Sequence, residues 1–134
     1  MRYTIVEGSD KMKAEDVARL LKMTYWADKR SVNTIERAMR NSSCYGVYSD
    51  DADRLIGFAR VISDHATMYY LCDVIIDPEY RRKGLGTALV SYIESSPEYS
   101  GLRGFLITRD AHALYSKFGF AVVNDRVMVK SPER

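Results

Sequence analysis

Long apolar runs are scarce in this sequence, and so are cysteine, histidine and any surplus of one charge. No apolar stretch approaches the roughly 20 residues that a transmembrane helix needs, and the start Met1-Arg2-Tyr3-Thr4-Ile5-Val6-Glu7-Gly8 has no signal-peptide core. A cytoplasmic protein is expected. The 2 cysteines, Cys44 and Cys72, lack CxxC spacing, and the 2 histidines form no cluster, so buried free thiols are expected rather than a disulfide or a metal site. The 20 basic and 18 acidic residues are interspersed and leave a net charge of +2, which excludes a nucleic-acid-binding tail and a membrane-binding basic helix. Internal repeats and low-complexity segments are also missing.

What is present suits one enzyme-sized domain spanning residues 1–134, with 46% hydrophobic content to supply a core. Residues 2–6 read as a strand and residues 13–26 as a helix with Val17, Leu20 and Leu21 along one stripe. A second helix starts near Ser31 and runs through Ile35 and Met39 to Arg40. The pattern then changes to strands over residues 44–48, 55–62 and 66–76, the first two joined by a polar tip at residues 49–54. Asp77-Pro78 ends the third, because proline cannot donate to a ladder. A helix follows over residues 83–95 with Leu85, Ala88, Leu89 and Ile93 facing the sheet. A buried strand is expected at residues 102–108, a short helix at 110–117 with Asp110 as its N-cap and Gly119 as its stop, and a closing strand or strand pair at 120–129.

The junction between the third strand and its helix carries the most chemistry. An apolar strand runs through Val74-Ile75-Ile76-Asp77-Pro78 into the basic, glycine-bearing turn Arg81-Arg82-Lys83-Gly84-Leu85-Gly86-Thr87. Backbone N–H groups at a helix start have no intrahelical partner and sit at the positive end of the helix dipole, so glycines that let a ligand approach them make an anion site. A P-loop is excluded, because Gly84 and Gly86 are one residue apart and Thr87 follows without a lysine. A dinucleotide fingerprint is excluded by Leu89 in the place of its third glycine and by the lack of an acidic ribose ligand in the next strand.

Arg81-x-x-Gly84-x-Gly86 after such a strand closely resembles the acetyl-coenzyme A motif of the GNAT superfamily of N-acetyltransferases. Residues 110–120, from Asp110-Ala111-His112 through Tyr115 to Gly119-Phe120, resemble that superfamily's later motif, and together the likeness covers about residues 55–120. It implies an α/β (α+β) GNAT fold: a mixed, largely antiparallel sheet, splayed at the acetyl-CoA site and flanked by about four helices. It also implies acetyl-CoA as cosubstrate, with no metal. The diphosphate falls to Arg81, Arg82, Lys83, Gly84, Leu85, Gly86 and Thr87, and the pantetheine arm to the main chain of Val74, Ile75 and Ile76.

For catalysis the resemblance places Tyr115 beside the coenzyme sulfur, where a phenol titrating near ~10 can protonate a departing thiolate; packing of α-helix on sheet is its other reading. Asp73, a carboxylate among apolar strand residues, either handles the amine or pairs with Arg60, His65 or Arg109. Alternation puts it on one face with Leu71 and Ile75, and Cys72 on the other. Trp26, Tyr25 and Ser31 are candidates for the acceptor wall and His112 for a general base bordering the acceptor cleft, each with a purely structural alternative; Asp73, His112 or a water relay could serve the amine. The expected activity is acetyl transfer to a primary amine of a small molecule by direct attack in a ternary complex. A non-catalytic acyl-CoA-binding module, a protein lysine or N-terminal acetyltransferase and a Cys72 thiol enzyme stay as alternatives, and a homodimer is left open.

Overall fold

The computed structural model describes residues 1–132. Its centre is a five-stranded sheet in sequence order: β1 (Tyr3–Glu7), β2 (Ser43–Ser49), β3 (Arg54–Ser63), β4 (Met68–Ile76) and β5 (Arg103–Phe105). The first four strands pair antiparallel, and β5 pairs parallel with β4. A parallel neighbour needs a crossover, which α3 (Leu85–Glu94) provides. Helices α1 (Ala14–Leu21) and α2 (Val32–Arg40) pack on one face, and α3 with the short α4 (His112–Ser116) on the other. Each face buries its own apolar cluster, one around Val17, Leu20, Leu21, Ile35 and Phe58, the other around Tyr45, Ile56, Leu71, Leu89 and Ile93. No helix among the described residues is long and apolar enough to cross a membrane.

The mixed sheet and its helices match the expected fold class, and several element boundaries differ for physical reasons. The first helix stops at Leu21, well short of Trp26. Thr24 Oγ1 donates to the Leu21 carbonyl at 2.7 Å and accepts from the Ala27 N–H at 3.1 Å, so a hydroxyl replaces the helical partners there. Tyr25 and Trp26 therefore stand on a turn. On α3 the buried stripe is Leu85, Leu89, Val90 and Ile93, and Ala88, expected to face the sheet, is only partly covered.

Two further expectations fail near the C-terminal side of the sheet. Instead of a buried strand over 102–108, β5 has three ladder residues, because β4 diverges from it beyond Tyr70. Residues 120–129 form no strand; they take no regular structure, with a bend at Asp125 and Arg126. The last helix is not capped by Asp110 either. Ala111 is its N-cap, and the Thr108 Oγ1 accepts from the Ala111 N–H at 3.0 Å, turning the chain two residues before Asp110 could do so.

Candidate active site

A one-residue irregularity in β4 builds the site. Phe58 faces Ile75 and Arg60 faces Cys72, so the single residue Ala59 lies opposite both Asp73 and Val74. Such a bulge bends the strand and re-aims its side chains. Asp73 sits at its centre with φ 54°, a left-handed conformation that aspartate tolerates better than most residues. The bulge also overturns the expected alternation: Leu71 packs in the α3-side core and Ile75 in the α1–α2-side core, while Cys72 and Asp73 line the same cleft.

Asp73 is 6% exposed, and its carboxylate is closely clamped. Arg30 Nη1 donates to Oδ2 at 2.7 Å, Arg60 Nε donates to the same oxygen at 2.9 Å, and the Trp26 indole N–H donates to Oδ1 at 3.2 Å. Of the three partners considered from sequence, only Arg60 meets it. His65 pairs with Glu98 at 3.2 Å, and the Arg109 guanidinium stacks 3.8 Å from the Tyr25 ring centre. Arg30 is the residue that sequence reasoning missed. A buried strand carboxylate signals that a cation is needed, but the loop that brings Arg30 back to it is a tertiary event.

Beyond Tyr70 the edge of β4 facing β5 has no ladder partner, so the main chain of Val74, Ile75 and Ile76 borders an open V. At its end Asp77 accepts from the Glu79 N–H at 3.0 Å and is held by Arg19 at 3.0 Å, which fixes the exit of the strand. Arg82, with φ 64°, and Gly84, with φ 77°, then curl the backbone into α3. Gly84 is the N-cap and offers no side-chain oxygen, so the first N–H groups of α3 have no capping partner.

The two glycines of this turn are there for different reasons. Gly84 is required by its left-handed backbone. Gly86 lies inside the helix, where a Cβ would meet only Ile76 Cγ1 at 3.8 Å and Leu114 Cδ2 at 4.0 Å, ordinary contacts. Neither backbone nor packing demands a glycine at 86. What its bare surface offers is close approach to the unpaired N–H groups, and this fits the diphosphate that the motif implies.

The cleft has a volume of about 1000 Å³. It joins the open β4 edge, the α3 turn, the 106–111 segment and α4, with the Met23–Trp26 turn, Arg30 and Arg60 at the other end. Of the residues singled out from sequence, Asp73, Val74, Ile75, Ile76, Arg81, Arg82, Gly84, Leu85, Gly86, Thr87, Tyr115 and Trp26 line it; Lys83, Ser31 and His112 do not. The Ser31 hydroxyl is used at the start of α2, accepting from the Thr34 N–H at 3.1 Å, and His112 is exposed at the start of α4. Tyr115 has a buried ring, and burial, then the charge of Asp110, push its phenol up to about 12. It is a proton donor across the neutral range. Burial likewise raises the Cys72 thiol to about 11 against the opposing pull of Arg60, which leaves it protonated and a poor nucleophile.

Comparison with known proteins places this geometry among relatives. A family model described as an acetyltransferase (GNAT) domain matches residues 40–122. An uncharacterized N-acetyltransferase, ycf52-like, of Prochlorococcus marinus is 33% identical over 98 residues, covering 71% of this chain and 54% of that protein. The histone acetyltransferase TAP1 of Glycine max is 35% identical over 72 residues, 46% of this chain and 31% of its own. The chain thus spans about half, or less, of these curated relatives. Among solved structures, a GNAT family protein of Xanthomonas campestris pv. campestris superposes with a TM-score of 0.90 at 33% identity, covering 98% of this chain and 94% of that one. A GNAT family acetyltransferase of Streptococcus pneumoniae TIGR4 shares the fold at a TM-score of 0.78 and 23% identity, with 99% of each chain covered.

Proposed function

The chain belongs to the GNAT acetyltransferase family, and we propose that it transfers the acetyl group of acetyl-CoA to the primary amine of a small molecule, in a ternary complex. Bound acetyl-CoA supplies the thioester whose carbonyl the amine attacks. One observation carries the reading: an unpaired strand edge leads directly to a bare helix N-terminus, and the glycine inside that helix has no explanation within the chain. The N–H groups of Leu85, Gly86 and Thr87 bind the diphosphate, with Arg81 and Arg82 adding charge. Main-chain groups of Val74, Ile75 and Ile76 take up the pantetheine amides and hold the arm straight.

At the reacting end, Tyr115 protonates the departing sulfur. Asp73 does not take the amine's proton, because three donors already occupy its two oxygens; that proton passes to water in the cleft as the C–N bond forms and the C–S bond breaks, and the tyrosinate left on Tyr115 is reprotonated from solvent. It is a positioning residue that holds Arg30, Arg60 and Trp26 against the cleft. Two guanidinium groups share one carboxylate there, which leaves local positive charge. That charge favours a small amine carrying a carboxylate or phosphate over a lysine in a basic protein segment, since like charges repel in a partly dry cleft.

The test is acetyl-CoA-dependent thiol release with a panel of anionic, neutral and cationic amines, run beside calorimetry of coenzyme binding. Turnover confined to anionic amines is expected. Tight coenzyme binding without turnover on any amine would favour a non-catalytic binding module, and turnover only on basic peptides would replace the small-molecule reading.

A further inference from the structure

Three arginines stand around the acceptor end of the cleft, and two of them are engaged. Arg30 and Arg60 both donate to Asp73, and Arg60 also donates to the Ser42 hydroxyl at 3.1 Å. Arg109 is held differently. Its guanidinium carbon lies 3.8 Å from the centre of the Tyr25 ring, and among the described residues no hydrogen bond or ion pair of its side chain accompanies that stack, the adjacent Asp110 included. Stacking engages the face of a guanidinium and leaves the N–H groups on its edge unoccupied. Tyr25 is 52% exposed and belongs to neither apolar cluster, so the pair serves no core.

The stack joins two walls that lie far apart in the sequence. Tyr25 stands on the turn after α1 beside Trp26, with ring centroids 5.0 Å apart, and Trp26 is tied to β4 through Asp73. Arg109 belongs to the segment that continues from β5 after its ladder with β4 has ended. Thr108 and Asp110 on either side of it line the cleft, as does Tyr25. The guanidinium is therefore set at the mouth of the open V, with the ring as its platform. A free planar fork, fixed before any ligand arrives, suits an oxyanion, because two parallel N–H donors match two oxygens of a carboxylate or phosphate. An exposed ion pair between two mobile side chains is worth little, whereas a stacked guanidinium has already lost the freedom that binding would take. On the reading that the acceptor is an anionic amine, we infer that Arg109, stacked on Tyr25, binds the carboxylate or phosphate of that amine and is the residue that determines its selection. Tyr25 is the positioning residue.

Matched acceptors test this at saturating acetyl-CoA: β-alanine beside propylamine, and phosphoethanolamine beside ethanolamine. Arg109→Ala is expected to raise the KM of the anionic amines about tenfold or more, the worth of a hydrogen bond to a charged group, with kcat and the KM of the neutral amines near wild type. The anion that loses more tells carboxylate from phosphate. Arg109→Lys keeps the charge without the fork and should restore only part of the loss. Tyr25→Ala should follow Arg109→Ala, and Tyr25→Phe, which keeps the ring face, should match wild type. Fluorescence of Trp26, the single tryptophan of the chain, reads the same affinities with coenzyme A bound and without turnover. Wild-type KM and affinity for both anions in Arg109→Ala overturns the proposal. So does an equal loss for the neutral amines, or a Tyr25→Ala protein that behaves as wild type. A wild-type protein with no preference for the anionic member of either pair removes instead the reading of the acceptor on which the proposal rests. Both side chains lie outside the two cores, so the melting curves of the variants should match wild type, and Arg109→Lys with Tyr25→Phe keeps the comparison decisive if an alanine variant misfolds.

Discussion

Replacing Asp73 by asparagine separates two properties that the aspartate combines, because asparagine also tolerates the left-handed backbone but carries no charge. Arg30 and Arg60 are then left in the cleft wall without their counterion. Removing one partner of a buried ion pair costs about 3–5 kcal/mol, and Arg30 keeps roughly a third of its side chain in water, so a loss near 3 kcal/mol is expected in denaturant unfolding. Coenzyme affinity should be unchanged while the KM for the acceptor rises; wild-type stability in this variant would refute the clamp. Tyr115→Phe tests the reacting end. General acid catalysis contributes about 10²- to 10⁴-fold, so kcat should fall at least to the low end of that range with coenzyme affinity intact. The pH dependence has a definite sign. The phenol is raised in the folded protein from 10.0 to about 12, so folding favours the protonated form. Its contribution to stability is complete below pH 10 and is lost as pH rises through about 12. Unfolding of wild type and Tyr115→Phe across pH 9–12 should therefore show the alkaline fall more steeply in wild type.

At the scale of elements, the start of α3 offers a pair of substitutions that work in opposite directions. Gly84→Ala places a Cβ on a left-handed N-cap with open space around it, so it should destabilise the fold by about 1–2 kcal/mol. The Cβ of Gly86→Val meets only ordinary contacts inside the chain, so the variant should fold, yet block the approach to the helix N–H groups and abolish measurable coenzyme binding by calorimetry. Undiminished binding by folded Gly86→Val would remove the diphosphate from this turn. The cradle was legible in the sequence because strand, glycines and helix start are neighbours along the chain, and their chemistry is local. The bulge at Asp73 was not, since an extra residue in a strand shows itself only against the partner's register. Nor was the early end of α1, where one threonine hydroxyl substitutes for the helical carbonyl and N–H partners. Arg30 belongs to the same class: nothing in the spacing of a turn says which strand it will fold back upon.

For the whole molecule, pattern recognises a strand-like segment but not the ladder that would take it up, which is why residues 120–129 read as a closing strand and form none. The cleft, by contrast, joins β4, the α3 turn, α4 and the Met23–Trp26 turn. A ligand that binds only the native state stabilises it by RT ln(1 + [L]/Kd), about 2.7 kcal/mol at a hundredfold excess over Kd. Acetyl-CoA should accordingly raise the Tm of the wild-type protein. It should do nothing for Gly86→Val, in which the approach to the helix N–H groups is blocked, and a coenzyme-dependent rise in that folded variant would remove the diphosphate from this turn.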